Sequence, residues 1–188
     1  MFLAGIVFDI TEKKKMLESL ESSNRMLEKL SKTDGLTGLV NHRALFEQLD
    51  VERIESQELG TPLSIALLDL DDFKSINDIY GHLAGDSVLV SIARILVENT
   101  RDCDTVGRYG GDEFLVILKN ADIALACTLF EKILALVRQV PVGENNHVSM
   151  SVGICEYQGE NLTEYIVHGD RNLYKAKILG KNQIACFA

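Results

Sequence analysis

The residues Leu63 to Leu70 read Leu-Ser-Ile-Ala-Leu-Leu-Asp-Leu, apolar everywhere except Ser64 and Asp69. A short run of this kind, entered through Thr61-Pro62, predicts a central strand covered on both faces. A second apolar run, Phe114 to Leu118, is separated from Thr105-Val106 by Gly110-Gly111. This predicts a hairpin over about Thr105 to Leu118, with a two-residue turn and positive φ at both glycines. A third strand is expected at His147 to Ile154. The segments between read as helices. Asn41 can cap one through about Leu49. A short helix follows at about Ser75 to Ile79, and a longer one at about Ala84 to Glu98. Two more span about Ala121 to Val137, ahead of Pro141, and about Leu162 to Leu179. Such alternation packs helices on a mixed sheet, an α+β fold.

The start of the chain has a different character. Phe2 to Asp9 reads as a short strand, and Asp9-Ile10-Thr11-Glu12 leads into a helical pattern without Pro or Gly. This resembles the last strand of a PAS sensor domain running into its exit helix. On that reading residues 1–11 are the end of a truncated sensor, 12–32 a helical coiled-coil linker, and 33–188 the main domain. Leu17, Leu20, Asn24 and Leu27 would form the seam, with Asn24 fixing register. The competing reading is a short amphipathic helix folded back on the domain. The resemblance implies a longer protein with an upstream sensor.

With 188 residues, 46% of them apolar, the chain can hold one ordinary domain plus an extension. Its net charge of −9 argues against a general nucleic-acid binder or an anionic membrane partner. Any polyanionic ligand must be held by metal and by local lysines. Cys103, Cys127, Cys155 and Cys186 are scattered, which reads as reduced thiols in a cytoplasmic protein. Met1 to Phe8 is apolar but lacks a basic start and stops at Asp9, so it reads as neither signal peptide nor membrane span. The phosphate-gripping glycine loops G-x-x-x-x-G-K-[ST] and G-x-G-x-x-G are absent from the sequence.

Two acidic groups carry the candidate chemistry. The central strand ends in Asp69-Leu70-Asp71-Asp72, and Asp112-Glu113 follows the hairpin glycines. Strand alternation puts Asp69 and Asp71 on one side and Asp72 on the other. If the two groups share one end of the sheet, they offer hard oxygen ligands for Mg²⁺ or Mn²⁺. Mg²⁺ is commonly held by one or two carboxylates plus substrate phosphates, so Asp69 and Asp112 suffice. Lys74 lies just past the strand end, where the Asp72 and Phe73 amides could cradle phosphate oxygens. Asn77 can both donate and accept, and Asp86 can accept from a donor edge such as that of guanine. Each of these residues also has a plainer reading, as a solvated turn, a surface lysine or a helix N-terminal charge.

The motifs together resemble one family. They are Asp34-Gly35-Leu36-Thr37-Gly38-Leu39-Val40-Asn41-His42-Arg43; Asp69 to Asp78; Tyr80-Gly81-His82 with Gly85-Asp86; Arg108-Tyr109-Gly110-Gly111-Asp112-Glu113-Phe114; Ser151-Val152-Gly153; and Leu173-Tyr174-Lys175-Ala176-Lys177 with Gly180-Lys181-Asn182. All occur in order, and from about Thr33 the chain is similar to GGDEF domains, the diguanylate cyclases that join two GTP into cyclic di-GMP. The resemblance implies a ferredoxin-like, palm-type core and attack of one GTP's 3′-hydroxyl on the α-phosphate of another across a homodimer. It makes Asp69, Asp112 and the Leu70 carbonyl metal ligands, and Asp112 or Glu113 the proton acceptor. Lys74, Lys177 and Lys181 become phosphate contacts, the two last sharing a helix face. Asn77 and Asp86 become the guanine contacts, while His82 touches the nucleotide or braces the loop. Arg101 and Asp104 stand at the spacing of an inhibitory site for the product. His42 and Lys181 replace residues that are usually Arg. The opening motif, Asp34 to Arg43, reads as structural. The rival readings are a silent cyclic di-GMP receptor or dimerisation module, and a cyclase of relaxed specificity that makes mixed cyclic dinucleotides.

Overall fold

The computed structural model describes residues 14–16, 32–143 and 146–186. The expected sensor strand at 1–11 and linker at 12–32 lie outside the described residues, apart from helical positions 14–16 and 32.

The helix opened by Asn41, α1, runs His42–Leu59, well beyond the expected Leu49. Nothing breaks it until Gly60, which takes the left-handed conformation and returns its amide to Ser56 O. Strand β1 is Leu63–Leu70, followed by α2 (Phe73–Tyr80), α3 (His82–Asn99), β2 (Thr105–Arg108) and β3 (Glu113–Lys119). Then come α4 (Ile123–Val137), β4 (Pro141–Val142), β5 (Asn146–His147), β6 (Met150–Glu156), α5 (Leu162–Ile178) and β7 (Ile184–Cys186). The small β4–β5 ribbon and β7 were not expected, since each is too short to show a period. The strand expected at His147 to Ile154 is in fact two, β5 and β6, separated by Val148 and Ser149.

The main sheet has five strands in the order β2-β3-β1-β6-β7, antiparallel except for the β6–β7 pair. Helices cover both faces. Leu63, Ile65 and Leu67 of β1 pack toward Leu45 and Leu49 of α1 and Tyr165 and Leu173 of α5. Ala66, Leu68 and Leu70 pack on the opposite side with Leu89, Ile92 and Leu96 of α3 and Phe130 and Ile133 of α4. The period of two then decides where the carboxylate goes. Asp69 continues the Leu63-Ile65-Leu67 row, so it emerges on the α5 face.

Helix α5 lies unusually close to the sheet at Gly153. A Cβ there would meet Leu173 N at 2.1 Å and Gly169 O at 2.4 Å, both backbone atoms. Across the gap, a Cβ on Gly169 would meet Leu67 Cδ1 at 2.2 Å. Paired glycines let helix and strand touch backbone to backbone, which fixes the height of the Lys177 end of α5 above Asp69. Among the described residues no helix is long and apolar enough to cross a membrane.

Gly153→Ala should cost about 3 kcal/mol of stability, as overpacking against immovable backbone does. Urea unfolding of the two proteins measures it, and a loss below about 1 kcal/mol would mean that α5 is free to move outward.

Candidate active site

Asp69 and Glu113 are directly opposed in the β1–β3 register. Both lie on the α5 face, since Leu115 and Ile117 continue the Glu113 row into the same core. Asp112 is the next residue out, and its carbonyl accepts from the Leu70 amide at 3.3 Å. The two acidic stretches therefore converge at one end of the sheet. Burial raises the Asp69 pKa more than its bond to Lys177 lowers it, and the charges of Asp112 and Asp71 push it further up. Burial also raises Glu113, with Asp69 and Asp112 adding to the effect. These carboxylates repel one another in a half-dry corner, so a cation there would relieve all of them.

Asp71 does not share the open site with Asp69. The strand ends at Leu70, and Asp71 turns inward, 5% exposed. Its carboxylate accepts from Ser149 Oγ at 2.9 Å, Ser151 Oγ at 2.7 Å and the Asn182 amide at 2.9 Å. It is scaffold, holding the strand end to β6 and to the loop after α5. Asp72 then takes a left-handed conformation, φ 55°, which turns the chain into α2. Among the described residues nothing accepts from the amides of Asp72, Phe73 and Lys74. They open the N-terminus of α2. Lys74 is exposed there and has no ion-pair partner among the described residues.

The hairpin tip differs from the two-residue turn expected. The strands stop at Arg108 and Glu113, and neither Gly110 nor Gly111 lies in the left-handed region. The loop Tyr109–Asp112 closes instead by the Tyr109 and Gly110 amides donating to Glu113 O at 2.9 and 3.2 Å. The Glu113 carboxylate lies over Gly110, where a Cβ would come within 2.4 Å of Oε2 and make that side chain turn aside. Arg108 donates through Nη2 and Nε to Gly111 O at 2.7 and 3.2 Å. Its Nη1 bonds both Asp34 oxygens at 3.1 Å. Thr37 donates to the same carboxylate from its amide at 2.8 Å and its hydroxyl at 2.7 Å. The Tyr109 ring stacks at 5.7 Å from Phe46, which His42 covers at 4.7 Å. The opening motif thus holds the acidic loop in place. Sequence reading missed the Asp34–Arg108 pair because no local signal links charges so far apart in the chain.

Lys177 and Lys181 reach the acid corner by different routes. Lys177, in the last turn of α5, pairs with Asp69 Oδ2 at 2.8 Å. The helix ends at Ile178, so Lys181 does not share its face as expected. Gly180 (φ 120°) breaks the helix, and Lys181 (φ 62°) and Asn182 (φ 50°) wrap back over the strand end. Lys181 pairs there with Asp72 Oδ1 at 2.7 Å. Asn77 and Asp86 are brought together by Gly85, whose Cβ would fall 2.0 Å from Asn77 Oδ1 and 3.1 Å from Phe73 Cζ. Asp86 and His82 are exposed on the first turns of α3.

Arg101 and Asp104 lie at the far end of the hairpin and bind each other. Arg101 Nη2 and Nε donate to Asp104 Oδ1 and Oδ2 at 2.7 and 3.0 Å, and Nη2 also bonds Lys119 O at 2.7 Å. Asp104 is fully covered by this pairing, whereas the Arg101 side chain is 43% exposed. A cavity of about 300 Å³, lined by Leu39, Val97, Arg101, Asp104 and Val106 among others, adjoins the pair.

Among the described residues no group of three His, Cys, Asp or Glu is gathered closely enough to hold a metal ion. The oxygen donors that a divalent cation would need are nonetheless gathered at the strand end, Asp69 and Asp112 with the Leu70 carbonyl beside them, and Mg²⁺ takes such a carboxylate set together with substrate phosphates. All four cysteines carry free thiols, Cys155 buried among them.

Residues 31–183 match the family model "Diguanylate cyclase, GGDEF domain". The chain is 34% identical over 180 residues to diguanylate cyclase DgcM of Escherichia coli K12, covering 95% of this chain and 42% of DgcM. It is 38% identical over 156 residues to DgcP of Pseudomonas aeruginosa, covering 81% of this chain and 23% of that protein. The chain thus spans less than half the length of these curated relatives. The crystallised coiled coil and GGDEF domain of DgcB from Caulobacter crescentus, in complex with c-di-GMP, superposes with a TM-score of 0.89. Its identity is 28%, over 95% of this chain and 97% of that one. The mixed sheet flanked by helices is that of solved GGDEF domains. The chain belongs to the diguanylate cyclase, GGDEF domain family.

Burial raises the Asp34 pKa, but the Thr37 and Arg108 bonds outweigh it and leave the group below its ordinary 3.8. A depressed folded pKa gives stability that is full above the unfolded value and lost as pH falls through the folded one. Asp34→Asn should therefore cost about 1–2 kcal/mol at neutral pH. The gap from wild type should close as pH drops below 3.8, in paired urea titrations at several pH values. A gap independent of pH would mean that the carboxylate charge contributes nothing.

Proposed function

We propose that this chain condenses two GTP molecules into cyclic di-GMP, releasing two pyrophosphates. The observation that carries the reading is the Asp69–Glu113 cross-strand pair, with Asp112 beside it and Lys177 bridging to α5. Asn77 and Asp86 read the guanine edge, Asn77 by donating and accepting and Asp86 by accepting from N1–H and the amino group. Adenine would leave the Asp86 carboxylate unmatched. Lys74 and the free amides at the start of α2 take phosphate oxygens, and Lys177 and Lys181 neutralise the rest of the triphosphate. Asp69, Asp112 and the Leu70 carbonyl would hold Mg²⁺ or Mn²⁺, which when bound supplies positive charge to the α-phosphate and acidifies the attacking hydroxyl.

The O3′–Pα bond forms as the bond from Pα to the pyrophosphate oxygen breaks. The hydroxyl proton goes to a carboxylate at the hairpin tip. Glu113 suits this role, because burial and its acidic neighbours raise its proton affinity. One chain presents one such site, so two chains facing each other supply the two reactants. The DgcB structure pairs a coiled coil with the same domain, which supports an N-terminal helix as the dimerising element here. Such a helix would place an upstream sensor in control of effective concentration. That structure also holds c-di-GMP, and the Arg101–Asp104 pair beside an open cavity is the place this reading gives to the product. A guanine edge would take the place of Asp104 on the Arg101 fork.

Incubating the purified dimer with GTP and Mg²⁺, then identifying products by mass spectrometry, tests the activity. Cyclic di-GMP and pyrophosphate are expected. Their absence from a verified dimer leaves the receptor reading. Asp112→Ala should lower turnover by about 10³-fold with the fold retained, and a rate near wild type removes the assignment. Arg101→Ala should raise the product concentration for half-inhibition by roughly tenfold at an unchanged initial rate. Unaltered inhibition places the product elsewhere.

A further inference from the structure

The two lysines that would hold phosphate are already engaged. Lys177 sits on Asp69 Oδ2 at 2.8 Å, and Lys181 on Asp72 Oδ1 at 2.7 Å. The first pair is the more sheltered, with the Asp69 side chain 13% exposed and Lys177 36%. Lys177 also acts electrostatically on Glu113, so it serves the corner as a whole. The corner thus carries its own counter-ions.

We infer that Lys177 and Lys181 hold the acidic corner closed to a lone divalent cation, so that the site takes a metal–triphosphate chelate and neither component alone. This rests on the proposed nucleotide site. The argument is electrostatic. A cation arriving alone must strip Lys177 from Asp69, and the released ammonium then stands beside a divalent charge. A triphosphate arriving alone draws off the lysines but meets Asp69, Asp112 and Glu113 bare. The chelate resolves both conflicts at once. Lys177 moves from a carboxylate to a phosphate oxygen as the cation takes its place on Asp69. Every exchange is like for like, so metal and nucleotide each raise the other's affinity by the same factor. The loop geometry favours this exchange. Asn182 stays anchored to the scaffold carboxylate Asp71, while the side chain of its neighbour Lys181 is held only by the exposed carboxylate of Asp72.

The test is Mn²⁺ binding to the full chain without nucleotide, followed by loss of the free-ion electron paramagnetic resonance signal. Lys177→Met should bind Mn²⁺ about tenfold more tightly than wild type. Adding Asp69→Asn to it should abolish the gain. Equal affinity of wild type and Lys177→Met overturns the inference. Lys181→Met should show the same change in smaller degree, and it decides the matter if Lys177→Met does not fold. In wild type, Mn²⁺ and α,β-methylene-GTP together should raise the unfolding temperature by more than the sum of their separate effects, and simple additivity also overturns the inference. These readouts involve no turnover, so a chain that makes no cyclic di-GMP can still show the exchange, and an active one can fail to.

Discussion

The register between β1 and β3 is the constraint on which the site depends. One residue of slip would turn Asp69 into the core under α3 and α4, among Leu89, Ile92 and Phe114, and turn Leu68 and Leu70 out of it. The apolar content of β1 forbids that slip. Leu63, Ile65 and Leu67 must meet α1 and α5, while Ala66, Leu68 and Leu70 must meet α3 and α4. The carboxylates are thus aimed by residues that never touch ligand. The glycine contact at Gly153 sets the remaining coordinate, the distance from sheet to α5, and with it the reach of Lys177.

The site divides into a rigid and an exchangeable part. Asp71, with three donors on its carboxylate, and Asp34, gripped by Thr37 and Arg108, are committed to structure. Asp69 and Asp72 hold only lysines, and Lys74 and the α2 amides hold nothing among the described residues. Three acidic residues at the end of β1, and Asp34 across from β2, therefore have different fates according to their partners. The pattern of charge alone does not distinguish them.

Much of this was legible in the sequence. The β1 run, the hairpin and the helix starts at Asn41 and Leu162 follow from local periodicity and capping, and the two acidic stretches announce themselves. What was not legible depends on distant partners. The left-handed wrap of Lys181 and Asn182 is dictated by Asp71 and Asp72, far upstream. The hairpin glycines suggested a tight turn by local preference. Arg108 on Gly111 O and the Glu113 carbonyl close a wider loop in which neither glycine takes positive φ. The inward turn of Asp71 was misassigned because alternation was carried one residue past the end of the strand.

The Asp34–Arg108–Gly111 chain has a mechanical consequence. Lys32 is joined to Asn41 by the Asn41 N to Lys32 O bond, and Asp34 lies just beyond it. A single guanidinium, that of Arg108 at the end of β2, then links this entry segment to the loop that carries Asp112. Torque delivered at the domain's threshold would be relayed to the acidic loop over a few bonds, or dissipated by rupturing the Arg108 fork.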